Sequence, residues 1–463
     1  MRTRWFVGLV LAMFVASAAR PVAAAEGDKI VRTKALDGLP VISAACRLLG
    51  CTVLYSLDTP PDEPAQPSSL FLVRGLLDNV LTLTLSLLGL ASVEPDRPVG
   101  LHQSAVLGQA SAAVLDQLWD RTPVNYYGTI AWEGYLRQPA NDIVRLRDTH
   151  CLLRQTGAGI VAVIDTGVDV DHPTLKPVLT PGYDFAANTS GGGEPAALGQ
   201  ASAAVLDGIY QVNPGTYAVV NQASAAVLDD PGHAAFGHGT MVAGVVHLAA
   251  PTAKIMPLRA FSADGRGYTS SIVRAIYYAT FKGAKVLSMS FSRPTSSPEL
   301  KLALSVAVGK GLIAVSSAGN DGSSAATYPA AYDNVMGVAS TSNDDVRSSF
   351  SNYGTRNVWV AAPGEGIITT YPGGSFAAAW GTSFSAPYVS GEAALLVGMR
   401  GSASHSQVAS AVSHAKRLTY DLNYGRVDFY EGVQAGRAMW PGAPLSPVPD
   451  TCTASAVDWS PLP

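Results

Sequence analysis

The stretch VAVIDTGV, Val161–Val168, decides the fold. Its first four residues are apolar without a polar break, and Ile160 extends the run. A strand with one wet face alternates; a strand buried on both faces reads as this one does. The run ends in Asp165, and Thr166-Gly167 supplies a turn. Similar runs occur at Val286–Met289, Leu312–Ser316 and Val335–Ala339, while Ile272–Phe281 and Glu299–Lys310 carry helical spacing. Strands alternating with helices predict an α/β domain with a largely parallel sheet.

Two further stretches share the form of an apolar element joined to a glycine turn. GHGTMVAG, Gly237–Gly244, places His238 between two glycines before a small-residue helix, and GTSFSAP, Gly381–Pro387, places Ser383 in a tight turn that opens another. Each has a bland reading: a capping aspartate, a loop histidine, a capping serine. Together, in the order Asp, His, Ser, they follow the subtilisin branch of triad hydrolases.

With SSAGNDG, Ser316–Gly322, as a fourth block, the chain resembles the subtilisin-like serine proteases from about residue 143 to 434. The resemblance implies a three-layer α/β domain with a mainly parallel sheet. It also implies peptide hydrolysis in which Ser383 attacks, His238 takes and returns the proton, and Asp165 fixes the imidazole. Asn320 and the Ser383 N–H would hold the oxyanion. Substrate would add as a β-strand between Gly265-Arg266-Gly267 and Ser290-Phe291-Ser292, with Ser317, Ala318 and Gly319 beside it. Ser292 departs from the glycine usual in the family and argues against a wide primary pocket. Met241 stands where many relatives carry a second histidine, and Tyr328-Pro329 resembles a cis-proline turn. No cofactor is required for this chemistry. Structural calcium, common in relatives, would draw on Asp169, Asp171, Asp333, Asp344 or Asp345, none in a diagnostic loop. An inactive relative used for binding, and a narrow-specificity processing protease, are the competing functions.

The rest of the chain fits an exported zymogen. Arg2 and Arg4, the apolar run Trp5–Ala19 and Ala23-Ala24-Ala25 read as a signal peptide over 1–25, hence a secreted or cell-envelope protein. Residues 26–98 alternate as β-α-β-β-α-β, a small ferredoxin-like α+β domain, with its second helix at Leu77–Leu90. By resemblance this is a propeptide that assists folding and blocks the site, so the expected partners are peptide substrates and the chain's own propeptide. Residues 99–139 read as a linker, 140–436 as the catalytic domain with an insert at about 188–232, and 437–463 as a Pro-rich tail. A net charge of −4 with no basic run beyond the first residues excludes a nucleic-acid partner, and a monomer is expected. Four cysteines, Cys46, Cys51, Cys151 and Cys452, suit an oxidising compartment. Cys46 and Cys51 could meet around Gly50, which leaves Cys151 with Cys452; other pairings and free thiols stay open.

The octapeptide QASAAVLD occurs at Gln109–Asp116, Gln200–Asp207 and Gln222–Asp229. Structural repeats have periods of about 20–50 residues and build a core. These copies are shorter, irregularly spaced and confined to expected surface connections. They read as tolerated duplications, with self-cleavage sites as the sharper alternative.

Overall fold

A computed structural model describes residues 23–75, 88–101, 120–194 and 235–447, together with Cys452. Its first unit contains β1 (Lys29–Thr33), α1 (Leu39–Leu49), β2 (Thr52–Ser56), β3 (Leu70–Arg74) and β4 (Leu90–Pro95). The strands form an antiparallel sheet in the order β2-β3-β1-β4, that of the split β-α-β motif. The helix expected over Leu77–Leu90 falls mostly outside the described residues, and Leu90 itself opens β4. One face of the sheet packs on α1 through Val31, Ile42, Phe71 and Val73. The other, through Ile30, Leu70 and Leu72, joins the core of the larger unit. The alternation of β1 therefore serves two cores at once.

The chain then crosses to the larger unit through β5 (Pro98–Gly100). A hairpin, β6 (Pro123–Tyr126) and β7 (Thr129–Trp132), leads into short helices α2 (Glu133–Leu136), α3 (Pro139–Ile143) and α4 (Leu146–Cys151). Reading residues 99–139 as a linker is corrected here for 120–139. Tyr126, Ala131 and Tyr135 are buried in the main core. The two tyrosine hydroxyls donate to the carbonyls of Leu248 and Gly244, at 2.7 and 2.6 Å.

The central sheet contains β8 (Ile160–Asp165), β9 (Tyr183–Asp184), β10 (Thr189–Ser190), β11 (Lys254–Arg259), β13 (Val286–Met289), β14 (Ile313–Ser317), β15 (Met336–Thr341) and β16 (Val360–Pro363), in the order β10-β9-β11-β8-β13-β14-β15-β16. Every pairing is parallel except that of β10 with β9. β8 explains the three layers. Val161 and Val163 face the cluster holding α5 (His238–Ala249) and α8 (Thr382–Met399), whereas Ala162 and Ile164 face α6 (Thr269–Phe281) and α7 (Pro298–Gly309). Beside these lie β12 (Arg266–Tyr268) and the hairpin of β17 (Ile367–Tyr371) and β18 (Ser375–Ala379).

Two boundaries also move. The insert expected from about residue 188 begins later, because Asn188 is buried and Thr189–Ser190 is a sheet strand; its repeats at 200–229, like the copy at 109–116, lie outside the described residues. The tail expected from residue 437 starts as the end of α10 (Phe429–Met439), which follows α9 (His405–Val412). It continues through buried Trp440 to Ser446, which hydrogen-bonds Arg154. Two disulfides close, Cys46–Cys51 and Cys151–Cys452.

Candidate active site

Asp165 closes β8, and its backbone carbonyl accepts from the N–H groups of Ala260 and Phe261. Its Oδ1 accepts from the Thr166 N–H at 2.7 Å and lies 2.7 Å from His238 Nδ1. Both side chains are fully buried. His238 is the first residue of α5. Gly237, which caps the helix, has φ +85°, and a Cβ there would lie 2.6 Å from the Tyr371 ring. Glycine is thus required to bring the histidine in at this angle. His238 Nε2 has no hydrogen-bond partner among the described residues.

Ser383 is the second residue of α8. Its hydroxyl donates to the Ser290 carbonyl at 3.3 Å, and the Ser290 hydroxyl donates to the Ser383 carbonyl at 2.9 Å. The Phe384 ring flanks His238 at 5.5 Å between centroids, so the histidine and serine elements share a wall. Asn320 Oδ1 accepts from Thr382 N–H and Oγ1 at 2.9 and 2.8 Å, which fixes the amide and leaves Nδ2 as a buried donor with no partner among the described residues. A Cβ on Gly381 would lie 3.3 Å from that nitrogen. An unpaired donor beside the first turn of a helix suits a developing negative charge.

The two expected substrate-binding segments lie on either side of a strand from the chain itself. β5 pairs antiparallel with β12 (Arg266↔Gly100, Gly267↔Val99), Gly100 bridges Ser292, and the Leu101 N–H donates to the Gly265 carbonyl at 2.8 Å. Phe291, Val99 and Leu101 are buried in one apolar cluster. Arg266 points outward, its side chain 82% exposed, with Asp264 3.9 Å away. The buried Ser292 hydroxyl has no partner among the described residues and stands 3.3 Å from where a Gly319 Cβ would be. Gly319 N–H donates to Thr382 Oγ1, and Ser317 Oγ reaches the Phe291 carbonyl only at 3.5 Å. Ala318 accepts through its carbonyl from Thr327 and Asn352. The Tyr328–Pro329 bond is cis, and Met241 is wholly buried in the main core.

The five aspartates considered for calcium are not brought together. Asp345 is engaged by Arg426 and Lys416, Asp171 by Lys176, and Asp169 by the N–H groups of Asp171 and Gly373. Among the described residues no three His, Cys, Asp or Glu side chains converge on a metal-sized site.

Three carboxylates escaped the sequence reading. Glu194 accepts from Thr166, Thr240 and the Gly237 N–H, and desolvation, with Asp165 nearby, pushes it up to about 8. It hides in the string GGGEP, where nothing marks it; the threonines following the Asp and His motifs were the available clue. Asp96 and Glu94, from the first unit, cap the helices of the second. Asp96 accepts from Ser270 N–H and Oγ at the start of α6, and Glu94 from Ser297 Oγ and the Glu299 N–H at the start of α7. Burial pushes Asp96 up to about 7.

Comparison with known proteins gives one consistent result. Residues 157–433 match the model of the subtilase family, Peptidase S8. Thermitase from Thermoactinomyces vulgaris is 35% identical over 281 residues, spanning 59% of this chain and 88% of that protein. Subtilisin BL from Lederbergia lenta is 37% identical over 195 residues, spanning 40% of this chain and 71% of that protein. The crystal structure of a lanthipeptide protease superimposes with a TM-score of 0.50 at 24% identity, covering 65% of this chain and 93% of that one, a likeness of fold.

Proposed function

The chain belongs to the subtilase family and is a serine endopeptidase, and from that premise we propose that Asp165, His238 and Ser383 are its catalytic residues and that it is exported as a zymogen blocked by its own first unit. The single observation that carries the assignment is the buried 2.7 Å contact of His238 Nδ1 with Asp165, which leaves Nε2 free for a proton beside the serine-bearing helix.

Ser383 Oγ leaves the Ser290 carbonyl and attacks the peptide carbonyl carbon while His238 Nε2 takes its proton. The carbonyl oxygen becomes an oxyanion between Asn320 Nδ2 and the Ser383 N–H. Collapse breaks the C–N bond, His238 returns the proton to the leaving amine, and an acyl-enzyme remains. Water then repeats the sequence and frees the acid. Asp165 holds the Nδ1–H tautomer and stabilises the imidazolium. A fluorophosphonate probe should label the processed protein and fail on Ser383→Ala; no labelling of the processed wild type would refute an active site here.

β5 supports the zymogen reading, since it occupies the cleft as a peptide substrate would, main chain to main chain on both sides. The first unit is further held by Asp96, Glu94 and the Arg32–Glu299 pair at 2.7 Å. Export is supported by the N-terminal sequence and by two disulfides, which persist in oxidising compartments. Among the described residues no helix is long and apolar enough to cross a membrane.

A further inference from the structure

Glu194 precedes residues 195–234, which lie outside the described residues, and Ala235 follows them, three residues before His238. Glu194 ties its own end of this gap to the turns that carry Asp165 and His238. Its Oε1 accepts from the Gly237 N–H at 2.8 Å and from Thr166 Oγ1 at 2.9 Å, and its Oε2 accepts from Thr240 Oγ1 at 2.9 Å. Thr166 follows Asp165 directly, while Gly237 and Thr240 bracket His238.

Both hydroxyls pass the connection on. Thr166 Oγ1 accepts from the Gly239 N–H at 3.0 Å, and Thr240 Oγ1 from the Asp169 N–H at 2.9 Å. The Glu194 backbone is anchored as well, its N–H donating to the Val168 carbonyl at 3.2 Å, with Val168 N–H on Gly192 at 3.0 Å. Gly167, at φ +106°, admits this approach: a Cβ there would meet the Glu194 nitrogen at 2.9 Å. On the return side the Ala235 N–H is held by the Ala263 carbonyl at 2.8 Å.

We infer that Glu194 is a positioning residue of the active site, whose carboxyl group holds the Asp165 turn and the start of the His238 helix in register. The inference rests on the reading of Asp165 and His238 as the catalytic pair. It predicts a defect in turnover rather than in substrate binding, because the hydrogen bonds of Glu194 reach neither β12 nor residues 290–292. Small misplacements of reacting groups are costly.

The test uses the full-length, self-processed protein with a chromogenic peptide. Glu194→Ala should lower kcat by about 10–100-fold with KM within about twofold. Glu194→Gln should recover most of that loss, since its carbonyl oxygen still accepts from Thr166 and Gly237. Should Glu194→Ala fail to fold, Thr240→Val, which removes one hydroxyl donor, carries the same kcat and KM comparison. An unchanged kcat, a loss confined to KM, or a glutamine variant as impaired as alanine would each overturn the inference. Activity surviving in Ser383→Ala would instead sink the catalytic assignment beneath it.

Discussion

Gly100 forms an antiparallel bridge with Ser292, and two residues back along the chain the Ser290 carbonyl holds the Ser383 hydroxyl. Antiparallel counting from the Gly100–Ser292 pair reaches Ser290 at residue 102, itself outside the described residues. Maturation is therefore expected to cut the bond between residues 102 and 103. N-terminal sequencing of the processed protein should begin at Gln103, and Ser383→Ala should stay whole. A mature start within Gln109–Asp116 would move the cut into the repeat and disprove the register argument.

Removing single parts of the site should cost turnover in a graded way. Asn320→Leu is expected to lower kcat by about 10²–10³, the size of effect known for an oxyanion donor in a subtilisin, a relative of this chain. Asp165→Asn should cost about 10⁴ through the wrong histidine tautomer. Steady-state kinetics on a peptide substrate would check both, with KM changing little.

The joint between the two units should loosen as pH rises. Asp96 has its carboxyl raised to about 7 by burial, opposed by its bonds to Ser270 and reinforced by Asp28 and Glu94. The buried acid binds its proton more tightly than the free chain does, so its contribution is complete below about 4 and is lost as pH passes 7. In a Ser383→Ala background, thermal melts should show Asp96→Asn gaining stability relative to its parent between pH 5 and 8. A constant difference across that range would refute this role.

The larger unit should have an acid limb. Burial lowers His247 to about 3, and His150 and His405 to about 4. The unfolded chain takes up protons near 6.5 that the folded one refuses, so stability is full above that pH and falls steadily towards 4. Urea unfolding of Ser383→Ala at pH 7.5, 5.5 and 4.5 would measure the slope, and His247→Gln should flatten it.

Opening the cleft is a matter of one hydroxyl. Ser292→Gly deletes a buried, unpartnered group facing Gly319. A peptide-library digest should then show larger side chains accepted at the residue before the cut, with kcat/KM for small ones within a few-fold. An unchanged profile would place the restriction elsewhere.

What was legible in the sequence follows from local physics. β8, β13, β14 and β15 declared themselves because a strand covered on both faces is mainly apolar, and each was found to within two residues at either end. The Asp, His and Ser stretches were legible because glycines flank residues that must approach another backbone. The hairpin at 123–132 was not, since two four-residue strands are too short to show a period, and its Tyr126, like Tyr135 in the helix that follows, donates to a carbonyl over a hundred residues away. Glu194 was invisible for a related reason: its three donors come from the turn after β8 and from the start of α5, and residues 195–234 separate it in sequence from the second.

The Cys151–Cys452 bond makes most of the protease a closed covalent ring, joining residues 301 apart, with the first unit hanging outside it. Cys46–Cys51 closes on itself and ties nothing across. A cut near residue 102 therefore severs the first unit outright, whereas a cut anywhere in 195–234, through the two internal repeats, opens the ring without releasing a piece. Under oxidising conditions such a nick adds one water to the mass and parts the two pieces only after reduction, so this protease can carry a cut between Cys151 and Cys452 and remain one molecule.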